Sequence, residues 1–308
     1  MTDVSTTPSA PGGDIGHRPF QSFSSLIRVD VTALSHPGHL RANNEDQFYV
    51  ARLTRSLETL MSSVTDSEVP DRADEINYVM VVADGMGGHA AGEVASAMTI
   101  RALVSLALRI PDWIFKVDER HAEELQRRAR DIVKQIDSIL VDRGRRDTAL
   151  RGMGSTLTFA RSCGRDLLLV HVGDSRAYLL RAGRLHRLTK DHTYAQMLVD
   201  LGRLEPSKVA GSGVGHILTN ALGGSSERVD VDVDLLTLEN GDRLLLCTDG
   251  LSDLVADDTI TETLLRAPAS VDACKELLRL ALESGGRDNV TVVVAAYEIP
   301  TGPNSVTS

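Results

Sequence analysis

Strand-like and helix-like segments occur in groups along this chain, and their order constrains the fold more than any other feature of the sequence. Alternating apolar residues predict a strand over 27–31, and a second strand is predicted over 47–53. Helical spacing follows over 91–108 and again over 119–141, with a stop near Gly144. The strand-helix alternation that a doubly wound parallel sheet requires is absent. We therefore predict an α+β fold in which two antiparallel sheets stack face to face, each with a helix pair over its outer face.

The middle and the end of the chain supply the remaining strands and helices. The letters RAGR at 181–184 predict a hairpin turn, and ENGD at 239–242 predicts a turn between two strands. The polar segment 54–75 is predicted to be a long loop. Further strands are predicted over 78–83, 156–161, 167–172, 177–180, 229–247 (two strands around ENGD) and 290–297, and further helices over 194–201, 258–265 and 270–282.

The length and composition are those of a globular protein. With 308 residues, of which 42% are hydrophobic, the chain can bury a sizeable core, and we predict one domain over 25–299. Residues 1–24 are rich in Ser, Thr, Pro and Gly and are predicted to form a disordered tail, with a second tail over 300–308. The N-terminus lacks a secretory signal, and no apolar run approaches the ~18 residues that span a bilayer. We therefore expect a cytoplasmic protein.

The charge and the cysteines exclude several classes of function. Acidic residues outnumber basic ones by 43 to 33, and this net charge of -10 argues against a protein that binds nucleic acid or an anionic membrane. Three cysteines, Cys163, Cys247 and Cys274, are too few and too scattered for a disulfide framework or a zinc site. We predict that they are buried thiols.

Four aspartates follow or flank apolar strands and have glycine beside them. They are Asp84 in VVADG, Asp174 in LVHVGDS, Asp249 in LLLCTDG and Asp288 in GGRDNVTVVV. A single aspartate at a strand end is usually a turn residue that accepts hydrogen bonds from the backbone. Four carboxylates in one cleft would repel one another, and a divalent cation relieves that repulsion. Oxygen ligands alone favour Mg²⁺ or Mn²⁺ over zinc.

The glycines after Asp84 allow a second interpretation. Glycine-rich turns between a strand and a helix bind phosphates, as in dinucleotide-binding domains. The glycines at 85, 87 and 88 do not form the G-x-G-x-x-G pattern, however, and the strand-helix alternation of that fold is missing. A metal site is the better interpretation.

The segment HLRANNEDQFYV contains three further charged residues that could belong to the site. Arg41, Glu45 and Asp46 precede a strand, where they could simply form a capped loop. Alternatively, Asp46 binds a metal and Arg41 binds a phosphoryl group, because a guanidinium can hold two phosphate oxygens at once. The local sequence leaves both possibilities open.

Six blocks in order resemble the bacterial branch of the metal-dependent protein phosphatases, the PPM or protein phosphatase 2C family. They are RANNED (41–46), ADGMGGHAAGEVAS (83–96), GMGSTLT (152–158), HVGDSRAYLLRAG (171–183), CTDGLSDLV (247–255) and GGRDNVTVVV (285–294). The resemblance implies a PPM-type β-sandwich flanked by helices, in α-β-β-α layers. It also implies hydrolysis of phosphoserine and phosphothreonine in proteins by a water that two Mn²⁺ or Mg²⁺ ions activate.

The resemblance also implies roles for individual residues at the first metal and at the phosphate. Asp84 would bridge the two metals, the carbonyl of Gly85 would bind one of them, and Asp249 and Asp288 would complete the shell of the first. Arg41 would bind the substrate phosphate. These positions are the expected catalytic residues.

At the second metal, Asp46 and Glu45 would act mainly through water. A third, weaker metal site would use Asp174 together with Asp249, and Asp253 would assist there. Residues 193–215 would form the mobile flap of the family. The expected partners are phosphorylated proteins and the serine/threonine kinases that the enzyme opposes, and the expected state is a monomer.

Two segments depart from the family pattern. Animal relatives carry a histidine, a proposed general acid, at the position of Met86, and His89 nearby is either a structural residue or a substitute acid. Many bacterial relatives have His-Pro-x-Arg where this chain has GSGVGH at 211–216. The alternatives to a broad phosphatase are a narrow regulator phosphatase that acts on one phosphoprotein, and a catalytically weak binding module with the same fold.

Overall fold

Two antiparallel sheets and their flanking helices make up the computed structural model, which describes residues 23–64, 72–87, 91–108, 119–211, 213–224 and 229–300. The strands are β1 (Arg28–His36), β2 (Asp46–Glu58), β3 (Arg72–Met86), β4 (Gly154–Ser155), β5 (Leu157–Cys163), β6 (Asp166–Val172), β7 (Arg176–Arg181), β8 (Arg184–Arg187), β9 (Asp232–Thr237), β10 (Arg243–Cys247) and β11 (Val290–Glu298). The helices are α1 (Ala91–Ala107), α2 (Glu119–Arg146), α3 (Tyr194–Asp200), α4 (Asp249–Ser252), α5 (Asp257–Arg266) and α6 (Ser270–Glu283).

The first sheet has the strand order β1-β11-β10-β7-β8, and the second has the order β2-β3-β5-β6-β9, with β4 paired to β3. Each pairing is antiparallel. The predicted α+β class is therefore confirmed. Among the described residues, no helix is long and apolar enough to cross a membrane.

Three apolar clusters hold the four layers together. Between the sheets, Met80 and Val82 of β3 pack in one cluster with residues of β10 and β11. On the outer face of the second sheet, Val79 and Val81 of the same strand pack with residues of α1 and α2. A third cluster joins α5 and α6 to the first sheet. Because the part of β3 from Tyr78 to Ala83 is covered on both faces, its sequence is continuously apolar rather than alternating.

The predicted turn at 181–184 is confirmed. Ala182 and Gly183 have φ angles of 48° and 78°, in the left-handed region that a tight hairpin turn uses. The turn joins β7 to β8 in the first sheet. The predicted helices at 194–201, 258–265 and 270–282 are found as α3, α5 and α6.

The prediction of a long loop over 54–75 is wrong at both ends of the segment. Strand β2 continues to Glu58 and β3 begins at Arg72, with Thr54 opposite Ile76 and Glu58 opposite Arg72. The two strands form a ribbon whose β2 side is largely exposed beyond Leu53. Since that part of the ribbon packs little apolar surface, its sequence carries no alternating pattern. Residues 65–71 lie outside the described part.

Helix α2 is longer than the sequence predicts. It passes through Gly144 and ends at Arg146. A Cβ at Gly144 would lie 3.1 Å from the carbonyl oxygen of Leu150, so the glycine gives space to the following turn and does not stop the helix.

Two smaller expectations also need correction. Strands β9 and β10 flank the ENGD turn as predicted, but they belong to opposite sheets, so the turn crosses the sandwich. Cys247 and Cys274 are buried thiols, whereas Cys163 is only partly buried. Its thiol lies 3.1 Å from a carboxylate oxygen of Glu75 on the neighbouring strand.

Candidate metal centre

Aspartates from both sheets meet at one end of the sandwich. Asp46 and Asp84 are directly opposite each other in the β2–β3 register, at the last pair of that ladder. Asp249 begins α4 two residues after the end of β10, and Asp288 lies two residues before β11. Each of the four therefore stands where a strand of the sandwich starts or ends, as the sequence indicates.

Asp46 is buried, with 3% of its surface exposed, and is held by hydroxyl groups of the opposite sheet. Its Oδ2 accepts hydrogen bonds from Thr248 Oγ1 at 2.8 Å and from Thr291 Oγ1 at 2.7 Å. Its Oδ1 is buried without a hydrogen-bond partner, and the same is true of Asp249 Oδ1. A buried carboxylate oxygen without a partner is costly, and a bound cation removes that cost.

Three carboxyl groups of this cluster have pKa values above the ordinary range of an aspartate. Burial raises the pKa of Asp46 to about 7, against the hydrogen bonds from Thr291 and Thr248, and burial together with the charge of Asp253 raises the pKa of Asp249 to about 7. Burial and the charges of Asp46 and Asp249 raise the pKa of Asp84 well above its ordinary value. The protein thus concentrates carboxylates that repel one another, and this all-oxygen donor set fits Mg²⁺ or Mn²⁺.

Gly85 and Gly92 bring the start of α1 against the end of β3. A Cβ at Gly85 would lie 2.0 Å from the carbonyl oxygen of Gly92, and a Cβ at Gly92 would lie 2.7 Å from Glu45 Oε2. Ser96 of α1 donates a hydrogen bond to the carbonyl oxygen of Glu45 at 2.6 Å. Only glycine permits this approach, so Gly85 has a packing role that the sequence did not reveal.

Asn289 positions the loop that carries Arg41 and Glu45. Its amide nitrogen donates to the carbonyl oxygens of Pro37 and Asn43, both at 2.9 Å, and its Oδ1 accepts from the backbone N–H of Glu45 at 2.7 Å. Asn289 is buried, with 5% of its surface exposed. Sequence analysis missed this residue, although it stands directly after Asp288 in the last of the six blocks.

Arg41 lies at the rim of the cluster with half of its side chain exposed. Its Nη2 lies 2.6 Å from Asp288 Oδ2. The structure therefore places the predicted phosphate-binding group in direct contact with a predicted metal ligand. Glu45, also predicted for this site, is partly buried nearby, and burial raises its pKa.

A second cluster includes Asp249 together with His216, which follows the segment 193–215. One ligand atom each from His216, Asp249 and Asp253 lies within 4.8 Å of the other two. His216 Nδ1 is 3.2 Å from Asp253 Oδ2. Asp174 is buried beside this cluster, and burial followed by the charge of Asp249 raises its pKa well above the ordinary value. Sequence analysis missed His216, because a lone histidine in an irregular segment carries no signal of its own.

A family model described as Protein phosphatase 2C matches residues 66–289. The chain belongs to the protein phosphatase 2C family. The resemblance of the six blocks is thereby confirmed at the level of the family.

Relatives within the protein phosphatase 2C family come from several bacteria. The serine/threonine protein phosphatase PstP of Mycobacterium tuberculosis is 39% identical over 264 residues, which are 85% of this chain and 44% of PstP. The chain thus spans less than half the length of that relative. The protein phosphatase PhpP of Streptococcus pneumoniae is 30% identical over 271 residues, which are 87% of this chain and 97% of PhpP.

Solved structures of the family have the same architecture. A crystal structure of the M. tuberculosis phosphatase PstP/Ppp matches with a TM-score of 0.70 and 38% identity, over 88% of this chain and 99% of that one. The catalytic domain of PstP in complex with two manganese ions matches with a TM-score of 0.68 and 37% identity, over 88% and 99% of the two chains. Stp1 of Staphylococcus aureus matches with a TM-score of 0.72 and 27% identity, over 91% and 98%.

The histidines of this protein phosphatase 2C domain differ in what they contact. His171 is buried between Thr158 Oγ1, 3.0 Å from Nδ1, and the carbonyl oxygen of Lys190, 3.2 Å from Nε2, and burial lowers its pKa to about 4. His192 accepts from the backbone N–H of Gly173 and lies 3.0 Å from Asp232. Both are structural, as expected, and His89 lies outside the described residues.

Proposed function

We propose that this protein is a metal-dependent protein serine/threonine phosphatase, hydrolysing phosphoserine and phosphothreonine. The observation that carries the proposal is the pair of buried, partnerless carboxylate oxygens on Asp46 and Asp249, in one cluster with Asp84. A structural turn aspartate has its oxygens satisfied by the backbone, whereas each of these two has a buried oxygen without a partner, which a cation would supply. Membership of the phosphatase 2C family and the manganese-bound relative support the same conclusion.

The chain would hold two divalent cations, Mn²⁺ or Mg²⁺, through the predicted residues. Asp84 would contact both, the Gly85 carbonyl with Asp249 and Asp288 would serve the first, and Asp46 with Glu45 would serve the second. When bound, the cations supply an activated water as the nucleophile and neutralise charge on the phosphoryl group.

The remaining chemistry comes from side chains of the chain itself. Arg41 would bind two phosphoryl oxygens and align phosphorus with the site, once its contact with Asp288 is exchanged for the substrate. Thr248 and Thr291 keep Asp46 in place through its Oδ2, which leaves the buried Oδ1 without a hydrogen-bond partner and free to bind a cation. Met86, at the position of the family's proposed acid, has no proton to transfer to the leaving seryl oxygen, and we assign no general acid.

The substrates and surroundings follow from the proposed activity. We propose phosphoproteins as substrates, an opposing set of serine/threonine kinases, a cytoplasmic location and a monomeric state, with the phosphatase domain at 25–299. A third, weaker cation would use Asp174 with Asp249. Phosphoproteomics of a deletion strain would identify the substrates and would separate broad from narrow action.

The proposal is tested with Asp84→Asn and Asp249→Asn, assayed with p-nitrophenyl phosphate and a phosphothreonine peptide in Mn²⁺. Each variant should lose at least about 10²-fold in kcat, the scale of removing one preorganised electrostatic group. Asp258→Asn, an exposed aspartate of α5, is the matched control and should keep full activity. Near-wild-type turnover by either cluster variant would reject the proposed metal centre.

A further inference from the structure

We propose that His192 is a positioning residue for the predicted flap, residues 193–215. Its imidazole holds the return end of the flap, residues 216–220, against the β6–β7 connection, residues 173–175. The side chain would act on the reaction through the flap and not through the cations. The inference rests on the proposed function for its kinetic consequence only, since the connection itself can be measured without catalysis.

The imidazole of His192 contacts three separate parts of the chain. Its Nδ1 accepts a hydrogen bond from the backbone N–H of Gly173 at 3.1 Å, and Asn220 Nδ2 lies 2.8 Å from the same nitrogen. Its Nε2 lies 3.0 Å from Asp232 Oδ2. Gly173 belongs to the β6–β7 connection, Asn220 to the return end, and Asp232 begins β9. The ring, with 15% of the side chain exposed, therefore lies where these three parts meet.

The partners of the ring determine which nitrogen carries its hydrogen. The N–H of Gly173 and the NH₂ of Asn220 are both donors, so Nδ1 has to be an acceptor. Asp230 fixes the orientation of the Asn220 amide, because its carbonyl oxygen accepts from Nδ2 at 2.8 Å and its N–H donates to Oδ1 at 3.2 Å. The hydrogen of the ring is therefore on Nε2, which donates to Asp232. A neutral imidazole thus serves all three partners at once.

The backbone at His192 adds to these contacts. Its N–H donates to the carbonyl oxygen of Gly173 at 2.8 Å, and its carbonyl oxygen accepts from the N–H of Thr219 at 2.9 Å. One residue further, Thr193 pairs with Leu218. The backbone therefore joins the two ends of the flap to each other, and the imidazole ties this pair to the β6–β7 connection and to β9.

The residues before His192 are anchored independently of its ring. Asp191 accepts hydrogen bonds from Arg176, with Nη2 2.7 Å from Oδ2 and Nε 3.1 Å from Oδ1. His171 Nε2 lies 3.2 Å from the carbonyl oxygen of Lys190. Loss of the His192 imidazole would therefore leave the start of the flap in place and release mainly its return end. The effect should be local, with the rest of the domain intact.

Both sides of this junction reach the proposed metal centre. In the return end, His216 Nδ1 lies 3.2 Å from Oδ2 of Asp253, which directly follows α4. In the β6–β7 connection, Ser175 Oγ lies 2.8 Å from Thr156 Oγ1, which accepts from the N–H of Asp84 at 2.9 Å. A shift of the return end would change the surface beside the centre, where a phosphoprotein would have to lie. It would remove none of the residues that would hold the cations.

The first experiment measures the connection in the full-length protein by limited proteolysis. The predicted flap contains exposed trypsin sites at Arg203 and Lys208. Relative to sites elsewhere in the chain, His192→Ala should raise cleavage at these two at least ~10-fold, because cleavage follows the population of the open form and the hydrogen bonds of the ring are lost. Urea denaturation of the same variant separates local release from global destabilisation. His186→Ala, which removes an exposed histidine of β8, is the matched control and should be cleaved like the wild type.

Two further variants identify the bonds responsible and replace His192→Ala if it does not fold. His192→Asn keeps an acceptor for Gly173 through its Oδ1 but is too short to reach Asp232, so cleavage of the flap should be intermediate. Asp232→Ala removes one partner of the ring at a half-exposed position and should raise cleavage by a smaller factor, ~3-fold.

The second experiment compares KM with kcat for a phosphothreonine peptide in saturating Mn²⁺. In His192→Ala we expect KM to rise ~3- to 10-fold with a smaller change in kcat, because the ring contacts none of the proposed cation ligands. His192→Asn should recover part of the loss. Flap cleavage at the wild-type rate in both His192→Ala and Asp232→Ala, or a fall in kcat with KM unchanged, would overturn the inference. If the flap is released as expected while the wild type itself hydrolyses no phosphopeptide, the connection stands and the proposed function is rejected.

Discussion

Arg41 and Asp288 form a salt bridge across 247 positions of sequence, with Nη2 of one 2.6 Å from Oδ2 of the other. The two groups are predicted to bind ligands of opposite charge: Arg41 the phosphate of the substrate, and Asp288 a cation. With half of the arginine side chain exposed, the bridge is at the surface and contributes little to stability by itself. It instead places the guanidinium at the edge of the proposed centre before substrate arrives.

Replacing Arg41 should weaken phosphate binding more than it weakens folding. For Arg41→Ala we expect kcat/KM for a phosphothreonine peptide to fall ~10- to 100-fold, which corresponds to the loss of ~1.5 to 3 kcal/mol from charge-assisted hydrogen bonds. Arg41→Lys should recover only part of the loss, because an ammonium cannot bind two oxygens in a planar arrangement. Arg101→Ala, at an exposed position of α1, is the control. Unchanged kinetics in Arg41→Ala would contradict the assigned role.

Without metal, the protein should become less stable as pH rises from about 4 to above 7. The pKa of Asp46 is raised to about 7 in the folded protein, so the folded state holds this proton more tightly than the unfolded state does. The contribution of this proton to the free energy of unfolding is fully present below ~3.9, the pKa of an aspartate in the unfolded state. It is lost as pH rises through about 7, the pKa of Asp46 in the folded state. For one group with this shift the loss approaches ~4 kcal/mol.

Asp46→Asn isolates this effect. In metal-free buffer, the free energy of unfolding of the wild type should fall relative to that of Asp46→Asn between pH 5 and pH 8. Urea denaturation at both pH values measures this difference. In excess Mn²⁺ the order should reverse, because the wild type gains stability from both cations, whereas the variant keeps only the ligands of the first. Asp258→Asn should follow the wild type under both conditions. A gap between wild type and Asp46→Asn that does not change with pH would refute the assigned pKa shift.

Asn289 should matter for both stability and activity. Asn289→Ala removes its three hydrogen bonds to the backbone of Pro37, Asn43 and Glu45, so the free energy of unfolding should fall by about 2 to 4 kcal/mol. KM should also rise, because the loop holding Arg41 is released. Asn289→Asp keeps the acceptor for Glu45 N–H but loses the donors and should be intermediate in denaturation. Wild-type stability in Asn289→Ala would show that these bonds are dispensable.

Gly250 should not tolerate even alanine. A Cβ there would lie 1.9 Å from the carbonyl oxygen of Asn289, so α4 would be forced away from the loop before β11. We expect Gly250→Ala to lose about 3 kcal/mol of stability, the upper range for overpacking, together with most of its activity. Gly224→Ala is the control, because its Cβ would be 3.7 Å from the nearest atom. Thermal melting and the peptide assay measure both effects.

The four aspartates that the sequence pattern singles out, Asp84, Asp174, Asp249 and Asp288, share one property: each follows or flanks an apolar strand and has glycine beside it. Asp84 and Asp249 stand out because a run of buried residues stops at them, and glycine follows. Asn289 and His216 lack such a context, since their partners are backbone groups or side chains far away in sequence. Contacts of this kind depend on the tertiary fold and leave no local pattern.

The strands of the fold also divide into those that have a local sequence pattern and those that do not. The sequence predicts the apolar run of β3, because a strand that is buried on both faces needs consecutive apolar residues. The sequence predicts a loop where β2 and β3 form their outer ribbon, because pairing through the backbone alone requires no particular side chains. Likewise, the residues around ENGD indicate two strands but not that each belongs to a different sheet, which only the packing of the whole sandwich decides.

The hydrogen bonds of Asp46 to Thr248 and Thr291 have a consequence for the lifetime of the protein. They connect the start of β2 in the second sheet to Thr248, directly after β10, and to Thr291 in β11 of the first sheet, at the place where the proposed cations would add further links. Any partial opening that separates the sheets would therefore also release metal, and metal binding would oppose that opening. The supply of divalent cations would then govern how often the chain is exposed to cellular proteases, as well as how fast it turns over substrate.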